Sequence, residues 1–95
     1  TRMNTIRQEI TAILEGEEMT ARELSQELGV AEREIYSHLP HIARSVASSG
    51  KRLRILPFRC LSCGFVFRER TRYTPPGRCP RCRETHLERP SYRIE

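Results

Sequence analysis

The chain has 95 residues, 37% of them hydrophobic and none of them tryptophan, and carries a net charge of +5. That length holds one compact domain, or two small modules sharing a modest core, and chains this small often rely on a metal or disulfides. No segment approaches the roughly eighteen apolar residues of a membrane span, and the N-terminal TRMNTIRQEI lacks the apolar stretch of a secretory signal, so a cytoplasmic protein that does not enter membranes is expected.

The charge is divided unevenly. Residues 1–50 carry five Arg against eight Glu, net −3, whereas residues 51–95 carry twelve Lys or Arg against four Glu, net +8. Asp is absent from the chain. A basic half joined to an acidic one points to a polyanionic partner, nucleic acid foremost.

The first predicted helix carries apolar residues at Met3, Ile6, Ile10 and Ile13, the three-and-four spacing of one helical face, and Gly16 ends it. Thr20 to Glu23 then reads as a capping box opening a short second helix with Ala21, Leu24 and Leu28 on its buried side. Gly29 supplies the positive φ of a tight turn, with Val30 as the apolar residue that the turn buries. A third helix, residues 31–48, follows with a stripe of Ile35, Leu39, Ile42 and Val46. Pro40 lies inside it, so either a kinked helix or two abutting helices are expected. Helix, glycine turn and helix make a helix-turn-helix pattern over residues 1–50.

At about 100° per residue, the ridge opposite that stripe is Arg33, Ser37, Pro40 and Arg44, flanked by Tyr36 and His41. Two arginines and a hydroxyl without an acid on the ridge itself suit a recognition helix in the major groove of double-stranded DNA. The expected groove contacts are therefore Arg33, Tyr36, Ser37 and Arg44, although Glu32 and Glu34 beside the ridge oppose phosphate. Lys51, Arg52 and Arg54 are expected on the DNA backbone.

After Gly50 the period changes to two. Leu53 and Ile55 alternate with Arg52 and Arg54, and Tyr92 alternates with Ile94 near the C-terminus. These stretches, 51–59 and 87–95, read as the two strands of a wing, with Pro90 confining the last one to an edge or a shortened pairing. The residues between them, 60–86, would sit at the tip of that hairpin.

That insert holds every cysteine of the chain: Cys60 and Cys63, then Cys79 and Cys82, two Cys-x2-Cys pairs separated by fifteen residues. Two intervening residues let both sulfurs of a pair turn toward one ion, and the spacing is that of a zinc ribbon. Four thiolates close the coordination shell, which leaves no position for a catalytic water, so the metal is read as structural and no enzyme activity is expected. The same ligand pattern also suits rubredoxin iron, and spacing does not separate zinc from iron. Neighbouring arginines and the helix-turn-helix favour zinc; Arg83 also stands where rubredoxin-type knuckles carry a second glycine. His86 is a spare ligand that four cysteines make unnecessary, and His38 and His41 are assigned no metal.

Taken together, ARELSQELGVAEREIYSHLPHIARSV, PFRCLSCGFVF and GRCPRC resemble a family of small microbial proteins predicted to be transcriptional regulators, which join a winged helix-turn-helix to a rubredoxin-like zinc ribbon. The resemblance implies an α+β fold with the ribbon set at the wing, one zinc held by Cys60, Cys63, Cys79 and Cys82, and a role in DNA binding. Two other functions stay open beside it: a protein-interaction module with the ribbon as a handle, and a rubredoxin-like iron electron carrier. A homodimer reading two half-sites is compatible with the pattern, although no separate dimerisation helix is evident. RNA also stays open as a partner, since Phe65, Phe67 and Tyr73 lie among arginines.

Overall fold

The computed structural model describes residues 2–68 and 70–95; the side chains of residues 2–5 are outside that description, Met3 among them. In chain order the elements are α1 (Arg2–Gly16), β1 (Met19–Thr20), α2 (Ala21–Leu28), α3 (Glu32–Ala47), β2 (Leu53–Ile55), β3 (Phe58–Arg59), β4 (Val66–Phe67) and β5 (Ser91–Ile94). The result is a small mixed α+β fold: three helices and a three-stranded sheet share one core, and a second hairpin belongs to the cysteine unit. No helix is long and apolar enough to cross a membrane among the described residues.

The helices form where the apolar spacing placed them. Ile6, Ile10 and Leu14 of α1 are buried, with Ile13 only partly so, because the buried face drifts toward Leu14 by the second turn. The Thr20 hydroxyl accepts from the Glu23 amide at 3.1 Å while the Glu23 carboxylate accepts from the Thr20 amide at 2.9 Å, so the capping box is complete. Gly29 has φ +67° and its N–H donates to the Ser25 carbonyl at 2.9 Å, which lets the chain reverse into α3. In α3, Ile35, Leu39, Ile42 and Val46 are all buried. The helix runs unbroken through Pro40, which is exposed; the missing proline N–H therefore falls on the wet side, where water can satisfy the carbonyl that loses it.

His38 is the buried polar side chain of this core at 5% exposure. The Arg7 guanidinium donates from Nε to His38 Nδ1 at 3.1 Å, so the ring is held as a neutral acceptor between α1 and α3. Burial, with Arg7 beside it, keeps its pKa below the ordinary histidine value.

The sheet departs from the sequence reading in two places. First, β5 is its central strand, paired antiparallel with β2 on one side (Leu53 opposite Ile94, Ile55 opposite Tyr92) and with β1 on the other (Met19 opposite Tyr92). Pro90 does not confine β5 to an edge, because it precedes the ladder, which begins at Ser91, and so withdraws no N–H from it; nothing in the sequence marked the two-residue β1. Second, the stretch 51–59 is divided at Leu56 and Pro57. Leu53–Ile55 join β5, whereas Phe58–Arg59 pair with β4 inside the cysteine unit. The ends of that unit still return to one sheet, since β2 and β5 are neighbours.

Candidate metal centre and basic surface

The cysteine unit is held by a short hairpin and two matching turns. Phe58 stacks on Phe67 across the β3–β4 pair with ring centroids 4.6 Å apart, and Phe65 meets Phe67 edge-on at 5.0 Å. In the first knuckle the Cys60 N–H donates to the Phe65 carbonyl and the Gly64 N–H donates to the Cys60 carbonyl, at 2.8 and 2.9 Å. The second knuckle repeats the pattern: Cys79 N–H to the Glu84 carbonyl, and Arg83 N–H to the Cys79 carbonyl, both at 2.9 Å. Gly64 and Arg83 occupy equivalent places, and both are left-handed, with φ +81° and +63°.

Arginine pays for that conformation with a clash between its Cβ and the backbone, of roughly 1–2 kcal/mol. Arg83→Gly is therefore expected to raise stability by about 0.5–1 kcal/mol after the entropy of the freer unfolded chain is deducted. A thermal melt of the metal-loaded variant checks this; a lower melting temperature would show that the Arg83 side chain contributes more than its strain removes.

The knuckles bring Cys60 and Cys82 sulfurs to 3.6 Å of one another, and Cys63 and Cys79 to the same distance. All four sulfurs lie within 4.8 Å of each other. A regular tetrahedron with zinc–sulfur bonds of about 2.3 Å separates its sulfurs by about 3.8 Å, so the residues fit one tetrahedral ion. Cys60 and Cys79 are buried and Cys63 and Cys82 half-buried, which restricts water at the site. His86 is exposed and is not among the clustered ligand atoms; its carbonyl instead accepts from the Leu61 N–H at 2.9 Å.

The sulfur environment is also that of a cation site. Burial pushes the Cys60 thiol up, but the Cys63 and Ser62 amides and the Cys82 and Cys63 sulfurs bring it down to about 7. Cys79 is lowered in the same way, its burial outweighed by the Cys82 and Arg81 amides and neighbouring sulfurs. Cys82 goes the other way: the Glu84 amide favours its thiolate, yet burial and the three other sulfurs push it up to about 12. Four negative sulfurs at this separation need a cation among them, so metal uptake releases protons.

The residues expected on DNA fall into two groups. Arg33, Ser37 and Arg44 are exposed with Pro40 on the outer side of α3, and the Ser37 hydroxyl donates to the Glu34 carbonyl at 2.7 Å. Tyr36 belongs less to that ridge than expected. It is half-buried against the core, because it follows Ile35 and lies at the border of the buried face. Its pKa is raised by burial first and by Glu32 second. Lys51 pairs with Glu15, and Arg54 reaches Glu95 at 3.2 Å, so two of the three backbone candidates already have carboxylate partners. Arg52 is exposed.

Two features went unseen in the sequence because their partners are distant along the chain. Arg89 reaches Glu32 at 3.2 Å and neutralises one acid beside the α3 ridge. Glu88 braces the ribbon, its carboxylate accepting from the Arg59 amide at 2.9 Å while the Arg59 guanidinium stands 3.7 Å away.

Comparison with known proteins agrees with this anatomy. The family described as "PF0610-like, N-terminal" matches residues 5–54, and the "PF0610 rubredoxin-like zinc beta-ribbon domain" matches residues 57–95. The solution NMR structure of protein PF0610 from Pyrococcus furiosus superimposes with a TM-score of 0.81 at 29% identity, covering 97% of this chain and 90% of that one. No curated protein matches the chain. With the first domain spanning more than half of the residues and the ribbon taking up where it ends, the chain belongs to the PF0610-like family, an N-terminal domain joined to a rubredoxin-like zinc β-ribbon.

Proposed function

We propose that the protein is a DNA-binding transcriptional regulator of winged helix-turn-helix type, with α3 in the major groove and the basic second half on flanking phosphates. In this reading the metal has an architectural role and the chain catalyses nothing. The observation that carries it is the outer ridge of α3: Arg33, Ser37, Pro40 and Arg44 are all exposed while the opposite stripe is fully used by the core. That leaves two guanidinium groups, Arg33 and Arg44, about three helical turns apart, suited to guanine edges or phosphates. The Arg89–Glu32 pair supports the reading further, because it removes one negative charge from the approach to the ridge. β2 and β5, antiparallel neighbours after α3, take the place of a wing, and Arg52, Lys51 and Arg54 stand at its start. The carboxylate pairs of Lys51 and Arg54 are exposed, and exposed pairs of this kind are weak enough for phosphate to displace.

Arg33→Ala tests the reading. Anisotropy titrations with a preferred duplex and a scrambled one are expected to show a loss of about 1–3 kcal/mol on the preferred duplex and much less on the scrambled one. Equal loss on both would remove Arg33 from base reading, and no affinity for any duplex at low salt would overturn the proposal. One observation favours a protein partner instead: Leu61, on the first knuckle, is 49% exposed. Leu61→Ser would then abolish partner capture while leaving DNA binding untouched.

A further inference from the structure

A concave surface of about 390 Å³ lies between β2 and the chain that leaves β4, and arginines from both sides line it: Arg52 and Arg54 from the strand side, Arg68 and Arg70 from the arm, with Thr71 and Tyr73 beside them. We propose that this cleft is a binding site for a free oligophosphate chain, inorganic or carried by a nucleotide, in which Arg68 and Arg70 join Arg52 and Arg54, the two arginines it shares with the proposed DNA-backbone contacts.

Four observations carry it. Arginines of two segments about fifteen residues apart in sequence (Arg54 and Arg68 to Arg70) line one cleft. Arg70 is fixed in place, donating from Nε and Nη2 to the Thr74 carbonyl at 3.1 and 2.7 Å and keeping its remaining N–H groups for a ligand. Arg54 stands opposite Arg93 in the strand register, so a further cation lies on the same strand pair, while Glu69, between Arg68 and Arg70 in sequence, is outside the described residues. The acid contact of Arg54 with Glu95 is exposed and readily exchanged for a stronger anion. Planar guanidinium groups bind phosphate oxygens in pairs, and a volume near 390 Å³ lies within the range of small-ligand pockets. A chain with several negative charges matches several clustered cations, whereas a single phosphate leaves most of them unanswered.

Direct titration with inorganic triphosphate, followed by calorimetry and by the arginine Nε–Hε resonances of the metal-loaded protein, tests the site without DNA. Its outcome is therefore independent of the duplex reading. Triphosphate is expected to bind at least about tenfold more tightly than sulfate at matched ionic strength. The double variant Arg68→Gln/Arg70→Gln is expected to lose about tenfold, and Arg68→Gln alone, whose side chain is exposed, about threefold. Arg22→Gln, which removes the same charge from the exposed side of α2, should change affinity by less than about twofold. A nucleoside triphosphate run in parallel separates the two sources: equal affinity assigns the inorganic chain, and tighter binding assigns the nucleotide. Equal binding of sulfate and triphosphate overturns the proposal, as does an equal loss on Arg22→Gln and Arg68→Gln.

Discussion

Chelation of the metal is expected to unfold the ribbon while the three helices persist. The reason is the distribution of apolar burial. Twelve buried residues from all three helices, β2 and β5 form one cluster, whereas among the described residues the ribbon contributes Phe58 and the two sulfur-bearing residues Cys60 and Cys79 to the buried apolar set. Its strands are two residues long. Such a unit cannot offset the conformational entropy of some thirty residues by burial alone, at about 1–2 kcal/mol for each backbone. Structural zinc adds on the order of 10–16 kcal/mol in isolated finger peptides, without which the ribbon's burial and hydrogen bonds fall short. Amide exchange read by NMR checks this. After chelation the Gly64 and Arg83 amides, which close the two knuckles, should lose protection, and the amides of α1 and α3 should keep most of theirs. Knuckle amides that stay protected without metal would show that the ribbon has another source of stability. Because the sulfurs must lose protons to bind, acid should have the same effect as the chelator.

Tyr92→Ala is expected to be the most destabilising single change in the helical half. Tyr92 is fully buried, lies on the central strand opposite Met19 and Ile55, and leans on Tyr73 at 6.1 Å between ring centroids. Its hydroxyl donates to the Tyr73 carbonyl, which ties the sheet to the segment between the two knuckles. Burial keeps the phenol protonated well beyond neutral pH, as that hydrogen bond requires. Removing a ring of this size from a packed site costs about 3–5 kcal/mol, a large share of the roughly 5–15 kcal/mol that holds a typical domain together. Tyr92→Phe separates the two contributions, keeping the ring and losing about 1 kcal/mol for the hydroxyl. Urea unfolding of both variants gives the values. A cost below about 1 kcal/mol for the alanine variant would mean that the sheet is not anchored through this side chain.

What could be read from the sequence followed its local patterns. The α3 stripe, the Thr20 cap and the Gly29 turn each depend on residues within a few positions of one another, and all three are where the local pattern put them. The sulfur cluster was legible for the same reason, since Cys-x2-Cys fixes the geometry of each knuckle locally. Even the unusual backbone at Arg83 was foreshadowed, because it follows its cysteine pair by one residue just as Gly64 does.

What escaped was set by partners far along the chain. Met19–Thr20 becomes a strand only because β5, some seventy residues later, is there to pair with it. That pairing also moves β5 from an edge to the centre. Leu14 displaced Ile13, and Tyr36 turned partly inward, because the border of a helical face depends on what packs there. The pairs of Lys51 with Glu15, Arg54 with Glu95 and Arg89 with Glu32 likewise left no trace in composition. Charge counted along the sequence overstated how many cations of the second half stand without a carboxylate beside them.

In the proposed function, the exposed ridge of α3 reads a duplex sequence on a scaffold completed by the metal ribbon. Its most direct test is selection from a random duplex library by the zinc-loaded protein, at moderate salt with competitor DNA. Enrichment of a defined motif is expected, weakened when Arg33 and Arg44 are changed to alanine. Recovery of unenriched DNA, or of none, would contradict it.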